Sequence, residues 1–188
     1  VAVDGQRRIA TFVQTKDGAT ETVEREFDML HVVPAQVSHD CVAKSPLAAA
    51  SGFIDVDEAT LRHKRYANVF GLGDGAGTSN AKTAAAVRQQ APVVAVNVLA
   101  ALEGREPVAD YDGYGSCPIT VERGQIVLAE FGYGGKLLPT FPAWLVNGTR
   151  PTRAAWFLKE RMLPPLYWHA MLKGHELLAP PHRIGRAA

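Results

Sequence analysis

Two short stretches carry residue types suited to redox chemistry. The first is Gly71-Leu-Gly-Asp74, which follows the apolar run Asn68-Val-Phe70 and leads through Gly75 to Asn80 into the helix-like run Lys82-Thr-Ala-Ala-Ala-Val-Arg-Gln-Gln. Glycine lets backbone approach a ligand closely, the acid after Gly73 can accept hydrogen bonds from sugar-like hydroxyls, and unpaired N–H groups at a helix start suit an electron-rich ring edge. Strand, acidic turn and helix start together predict the part of a flavin site that meets the ribityl chain and isoalloxazine. Asp74 also reads as a simple helix cap, though its place between glycines favours a ligand. The second stretch is Tyr111-Asp-Gly-Tyr-Gly-Ser-Cys-Pro118. Its Cys117 is a nucleophile only as a thiolate, which needs cationic or dipolar stabilisation. On residue type alone the favoured reading is a small buried cysteine.

The flavin half-site has no pyrophosphate loop beside it. A dinucleotide-binding fold closes its first strand with G-x-G-x-x-G, because the pyrophosphate needs bare backbone at a helix N-terminus. Gly71, Gly73, Gly75 and Gly77 are spaced wrongly for it, and Gly132, Gly134 and Gly135 follow no crossover helix pattern. The half that would hold the pyrophosphate is therefore missing. The 188 residues allow one medium domain plus an appendage, and a net charge of +1 argues against a nucleic-acid partner. Two cysteines, Cys41 and Cys117, are too few for a disulfide scaffold and stand in no metal-type spacing with the six histidines, so no metal is implied. Val1 follows no basic and apolar leader, so either a targeting segment is absent or the N-terminus lies upstream.

The elements that must position these residues are read from periodicity. Arg8–Val13 and Thr22–Phe27 flank Lys16-Asp-Gly-Ala and predict a hairpin, with Met29–Val33 a brief strand stopped by Pro34. Leu47–Ala50 predicts a helical turn. A long helix runs from Lys82 to Leu102, with Val87, Ala91, Val94, Ala95, Val98, Leu99 and Leu102 on its buried face, a kink at Pro92 and a C-terminal cap at Gly104. Gln125–Phe131 predicts a strand, Tyr133-Gly-Gly a turn, and Cys117 lies just before that hairpin.

From Phe141 the composition changes, and all three tryptophans fall there. Thr152 caps a helix with Trp156, Phe157 and Leu163 facing one way, Pro164-Pro165 breaks it, and Leu166–Lys173 forms a second short helix before Gly174. From Pro151 onward there are six basic residues against two acidic ones. Aromatic and basic side chains on two short amphipathic helices predict a tail that lies on a membrane surface. The apolar run Leu163–Trp168 is too short to cross one. His169 and His175 read as interfacial.

Taken together, Val69-Phe-Gly-Leu-Gly-Asp74, Ala81-Lys-Thr-Ala-Ala-Ala86, the Cys117 segment, Leu128-Ala-Glu-Phe131 and Leu166-Tyr-Trp168 resemble the sulfide:quinone oxidoreductase family, nearest to its mitochondrial branch. The resemblance covers nearly the whole chain and corresponds to the C-terminal part of those proteins; the Cys117 segment is its most specific element. It implies an α/β fold, the C-terminal part of a tandem Rossmann-like flavoprotein, with β-hairpins and the membrane-surface helices. It divides the chain into the end of a second nucleotide-binding-like domain (1–66), an FAD-binding strand–helix segment (67–104), a redox-cysteine and hairpin segment (105–140) and a membrane-associating tail (141–188).

The same resemblance implies FAD as cofactor and Cys117 as one of two redox cysteines, its partner lying in the missing N-terminal half. Cys41 stands where the family has an aliphatic residue and reads as an incidental thiol. Sulfide would attack the cysteine bridge, leave sulfane sulfur as a persulfide for a sulfur acceptor of unstated identity, and free a thiolate that reduces the flavin; electrons then pass to a quinone. Gly73, Asp74, Lys82 and Thr83 become the FAD contacts, with Lys82 near the flavin pyrimidine edge, where a cation favours the anionic reduced form. Phe131, Tyr133, Phe141 and Tyr167 are each more simply read as packing, and as a set they are candidates for a quinone slot. The implied location is peripheral and monotopic, on a bacterial or mitochondrial inner membrane. Two readings stay open beside this: a type II NADH:quinone reductase-like flavoprotein, which has no use for Cys117, and a catalytically silent membrane-docking piece.

Overall fold

The computed structural model describes residues 2–175 and 179–184. The chain divides into two compact units, Val1–Gln36 and Val37–Ala188.

The first unit is a three-stranded antiparallel sheet of β1 (Ala2–Asp4), β2 (Ile9–Lys16) and β3 (Ala19–Glu26). Asp17 and Gly18 both adopt positive φ (53° and 81°), which is what a two-residue turn needs to match the twist of β2 and β3. Lys16 pairs with Ala19 and Ile9 with Glu26, so the expected hairpin forms and reaches further toward its turn on both strands. The expected strand Met29–Val33 does not form. No described strand offers it a ladder, and Met29, Val32 and Val33 are exposed.

The second unit begins with a single helical turn, α1 (Asp40–Ala43). Leu47–Ala50 is not helical, because Ala48 bridges to Ile54 and its N–H is taken up by the Ser45 carbonyl. Between residues 47 and 78 the chain is tied by isolated bridges, Ile54 to Ala76, Val56 to His63 and Arg62 to Phe70, around buried Val56, Leu61 and Ala76. The expected strand Asn68–Phe70 is reduced to that last bridge. Buried His63 holds the knot: its Nδ1 accepts from the N–H groups of Arg65 (2.9 Å) and Tyr66 (3.1 Å), so Nε2 carries the proton given to the Leu47 carbonyl.

The long helix α2 covers Ala84–Leu102, with Pro92 inside it. Thr83 is its N-cap, the hydroxyl accepting from Ala86 N–H at 3.1 Å. At the other end the N–H groups of Gly104 (φ 69°) and Arg105 return to the carbonyls of Ala101 and Ala100, a Schellman closure. The buried stripe is Ala86, Gln90, Val93, Asn97 and Ala100, which is not the expected face; Leu99 and Leu102 are exposed. Two amides explain the rotation. Asn97 Nδ2 donates to the carbonyls of Thr60 and Ala109 while its Oδ1 accepts from Val108 and Ala109 N–H, and Gln90 Oε1 accepts from Gly73 N–H. By length and composition α2 is long and apolar enough to cross a membrane, but its buried amides mark the side packed on protein.

A two-residue ladder pairs β4 (Ala109–Asp110) with β7 (His182–Arg183). Strands β5 (Gly115–Glu122) and β6 (Gln125–Phe131) form the second hairpin, so Cys117 lies inside a strand and not ahead of the hairpin. On β6, Ile126, Leu128 and Glu130 face inward, and the first two pack with Val146 and Ala155. The tail follows as α3 (Arg153–Phe157), a π turn (Leu158–Met162) and α4 (Leu163–His169). Thr152 caps α3 as expected, its hydroxyl accepting from Ala155 N–H. Pro164 and Pro165 do not break the helix; they occupy the first turn of α4, where missing N–H groups are tolerated, and the π turn absorbs the mismatch. Trp156 packs against the Ile126 cluster while Phe157 points outward, so the two do not share a face. A 3₁₀ turn at Met171–Lys173 closed by Gly174 (φ 79°) takes the place of the second helix's end. The described residues are mixed α/β, with three small antiparallel sheets among them.

Candidate functional site

The glycine–acid turn folds as one 3₁₀ turn, Gly73–Gly75, immediately beneath the start of α2. Gly73 has φ 65° and a Cβ there would lie 3.2 Å from Val87 Cγ2, so glycine is needed for both conformation and space. Asp74 is exposed, and among the described residues its carboxylate accepts no hydrogen bond. Lys82 is half-buried. Its Nζ donates to the carbonyls of Ala76 (2.6 Å) and Thr78 (3.3 Å) and sits 5.5 Å from the Phe53 ring centre. Burial lowers its pKa, partly offset by the carboxylates of Asp74 and Glu58. Two of the ammonium's three donors are thus spent on loop carbonyls and one remains. Thr83 uses its hydroxyl oxygen as the α2 cap.

Two residues in this loop escaped the sequence reading. Thr78 Oγ1 and Asn80 Oδ1 are buried and have no hydrogen-bond partner among the described residues. Buried oxygens without protein partners, in a glycine-rich turn at a helix start, fit a ligand rich in hydroxyls. Nothing in the sequence distinguishes them from ordinary loop polars.

The cysteine strand passes against the N-terminus of α2. A Cβ on Gly115 would stand 3.4 Å from the Ala81 carbonyl and 3.5 Å from Thr83 Oγ1, so β5 runs against the N-terminus of α2 two residues before Cys117. Cys117 is exposed and unbridged, as is Cys41 on α1. Ser116 pairs with Glu130 and Cys117 with Ala129, which puts Ser116 and Glu130 on one face of the ribbon and Cys117 on the other.

On the Ser116 face lies an apolar cavity of about 650 Å³ between β6, α2 and the π turn, walled by Leu128, Phe141, Leu158, Met162, Leu163 and Leu166. Tyr114, Glu130 and Thr140 supply polar groups, and Arg88 and Arg161 also line it. Of the four aromatic residues singled out from the sequence, only Phe141 lines this cavity. Phe131 packs its ring beside Gly115. Tyr133 meets Tyr111 edge-on at 5.9 Å and donates its hydroxyl to the Glu58 carbonyl at 2.8 Å. Tyr167 is exposed and meets Trp168 edge-on.

The Glu130 cluster was also missed, although the inward alternation Ile126, Leu128, Glu130 signals an acid on an apolar face. Glu130 is 6 % exposed. It accepts from the Tyr114 hydroxyl at 2.7 Å, from Thr140 N–H at 3.1 Å and from the Thr140 hydroxyl. Burial, reinforced by this carboxylate, pushes the Tyr114 phenol up to about 12. A second, more polar cavity of about 600 Å³ opens on the other side of Tyr114 and Thr140, with Asp110, Asp112 and His182 in its wall. His182 Nδ1 pairs with Asp110.

No protein-family model matches the chain. It is similar to proteins named mitochondrial sulfide:quinone oxidoreductase from Schizosaccharomyces pombe (38% identical over 189 residues, 97% of this chain and 41% of that protein), Mus musculus (38% over 160 residues, 85% and 34%) and Dictyostelium discoideum (41% over 175 residues, 93% and 37%). A chain in the structure of the Tetrahymena thermophila mitochondrial ATP synthase F1Fo tetramer superimposes with a TM-score of 0.65 at 30% identity, covering 87% of this chain and 39% of that one. The chain thus spans about two-fifths of the length of the relatives it matches.

Proposed function

We propose, on the premise that this chain belongs with the sulfide:quinone oxidoreductase family over about two-fifths of a member's length, that it forms the C-terminal part of such an enzyme. It finishes an FAD site, carries one of two redox cysteines and provides the surface through which electrons reach a membrane quinone. The observation that carries the reading is the crossing of β5 over the Thr83 cap. That crossing brings the cysteine segment to the start of α2, the helix against which the glycine–acid turn also packs, and a thiolate that must pass electrons to a flavin needs such proximity.

In this reading Asp74, Thr78 and Asn80 would hold the hydroxylated chain of the cofactor, and Lys82 would keep one donor for its ring. FAD held there would supply two-electron chemistry: it would take two electrons as the cysteine sulfurs rejoin in a disulfide, once an acceptor has removed the sulfane sulfur, and would pass them to quinone. Cys117 and its partner in the preceding part of the protein are bridged at rest. Hydrosulfide adds to one sulfur and the bridge bond breaks, which leaves a persulfide on one cysteine and a thiolate on the other. Exposure of Cys117 on the face opposite the apolar cavity lets sulfide and quinone enter from different sides of the hairpin.

The apolar cavity is the quinone site of this reading, with Phe141 in its wall. Trp144 (84 % exposed), Phe157, Trp168 (62 %) and Leu172 form an outward apolar set on the tail, among Arg153, Lys159, Arg161 and Lys173. Such a surface lies on anionic lipid, each basic residue contributing roughly 1 kcal/mol. The location that follows is the surface of the mitochondrial inner membrane. The test is flavin absorbance of the full-length protein: bleaching by sulfide and not by NADH, with recovery on adding quinone, is expected. Bleaching by NADH alone, or no flavin at all, sinks the reading.

A further inference from the structure

We propose that Glu130, with Tyr114 and Thr140, is a proton relay joining the polar cavity to the apolar one and delivering protons to a quinone bound there. The inference rests on the quinone reading above. Three donors converge on one carboxylate: the Tyr114 hydroxyl, the Thr140 hydroxyl and Thr140 N–H. The two hydroxyls lie 3.3 Å apart, within reach for either to donate to the other when it turns from the carboxylate. Glu130 continues the inward face of Ile126 and Leu128, where another aliphatic side chain would satisfy packing at no electrostatic cost. A buried carboxylate kept there by a dedicated set of donors, at the wall of a cavity otherwise walled by Leu128, Phe141 and Leu158, is an arrangement for handling a proton.

The path on either side is short. Tyr114 and Thr140, with Gln89, line both cavities, so the hydrogen-bonded cluster stands where a more polar cleft meets an apolar one. The charged groups facing the cluster are Asp110, Asp112 and His182 from the open side and Arg88 and Arg161 from the apolar side.

Reduction of a quinone to its quinol takes two electrons, which sulfide supplies through the flavin in the proposed reaction, and two protons. For each proton an O–H bond of Tyr114 or Thr140 breaks as the proton moves onto the Glu130 carboxylate, and that new carboxyl O–H bond breaks in turn as an O–H bond forms at a quinone oxygen. The hydroxyls regain their protons from water in the open cleft. Each hydroxyl passes one proton on and takes one back, so the cluster returns to its starting state.

The test uses the full-length holoenzyme with decylubiquinone, following flavin absorbance so that reduction by sulfide and reoxidation by quinone are timed separately. Glu130→Gln is expected to slow reoxidation about 100-fold and to remove its pH dependence and solvent deuterium effect. Thr140→Val should slow it less, and Glu130→Asp should recover part of the rate. Flavin content, melting temperature and decylubiquinone binding, read by tryptophan quenching in the oxidised protein, serve as the fold controls. Wild-type reoxidation rate and pH profile in both Glu130→Gln and Thr140→Val overturn the relay, as does loss of quinone binding in both, which makes the cluster structural. Failure of decylubiquinone to reoxidise the wild-type flavin overturns the quinone reading, and the relay with it.

Discussion

Lys159 and Pro118 are joined across the hairpin: the lysine Nζ donates to the Pro118 carbonyl at 3.0 Å and to Thr120 Oγ1 at 2.9 Å. The π turn therefore grips β5 one residue beyond Cys117, while its Leu158, Arg161 and Met162 line the apolar cavity. One short segment touches both the cysteine strand and the cavity wall. Lys159→Met keeps the apolar stem and removes both bonds, so it should destabilise the fold by about 1 kcal/mol. It should also slow sulfide-driven flavin reduction, because the strand carrying Cys117 loses its tether. Urea unfolding and single-turnover kinetics read the two effects; an unchanged rate would leave Lys159 a purely structural contact.

The crossing at Gly115 predicts a graded response to side-chain size. An alanine Cβ there would meet Phe131 Cε2 at 3.2 Å, a ring that can give, and the Ala81 carbonyl only at 3.4 Å. Gly115→Ala should be nearly neutral in melting temperature and flavin content. Gly115→Val adds two methyls against fixed backbone and should cost about 1–3 kcal/mol and lower bound flavin. Equal behaviour of the two variants would show that β5 does not press on the α2 cap.

Asn97 makes four hydrogen bonds from inside α2, tying Thr60, Val108 and Ala109 to the helix. Asn97→Leu leaves those backbone groups unpaired in a buried place and should cost about 3–5 kcal/mol, far more than the truncation Leu99→Ala on the exposed face. Denaturant midpoints of the two variants check the order, and a reversed order would mean that the apolar face is the one packed within this chain.

That helix also shows where sequence reading reached and where it stopped. The first hairpin, the Thr152 cap, the Gly104 closure and the extent of Gln125–Phe131 were legible, because each depends on local chemistry within a few residues; the Thr83 cap and strand β5 were not. The face of α2 was not. Periodicity selected its valines and leucines, whereas the packed stripe is set by Gln90 and Asn97, whose partners lie 17 and up to 37 residues away. Met29–Val33 and Asn68–Phe70 read as strands for the same reason: β-branched composition says nothing about whether a partner strand is within reach. At the candidate site, Asp74, Lys82, Thr83 and Cys117 are proposed from their motifs, whereas Thr78, Asn80 and the Glu130 cluster emerge only from burial and long-range bonding.

Three tyrosines make the alkaline limb of the stability curve informative. Burial raises the phenols of Tyr111 and Tyr133 well above the ordinary value of 10.0, with Asp112 adding at Tyr111 and Glu58 at Tyr133, and Tyr114 stands at about 12. In the unfolded chain each ionises near the ordinary value while the folded phenol keeps its proton. The folded state then binds more protons, and stability must fall as pH rises from about 10 toward 12. Below pH 10 the contribution is complete and flat. Lys82 has the opposite sign, since its lowered pKa means that the unfolded chain binds the extra proton, and it softens the fall. Tyr133→Phe should remove one proton from the slope of unfolding free energy against pH in this window, at the cost of the bond to the Glu58 carbonyl. Denaturant titrations at stepped pH measure that slope, and the phenolate absorbance of the native protein gives an independent count. A native spectrum that titrates all three near pH 10 would refute the packing of Tyr111, Tyr114 and Tyr133 described above.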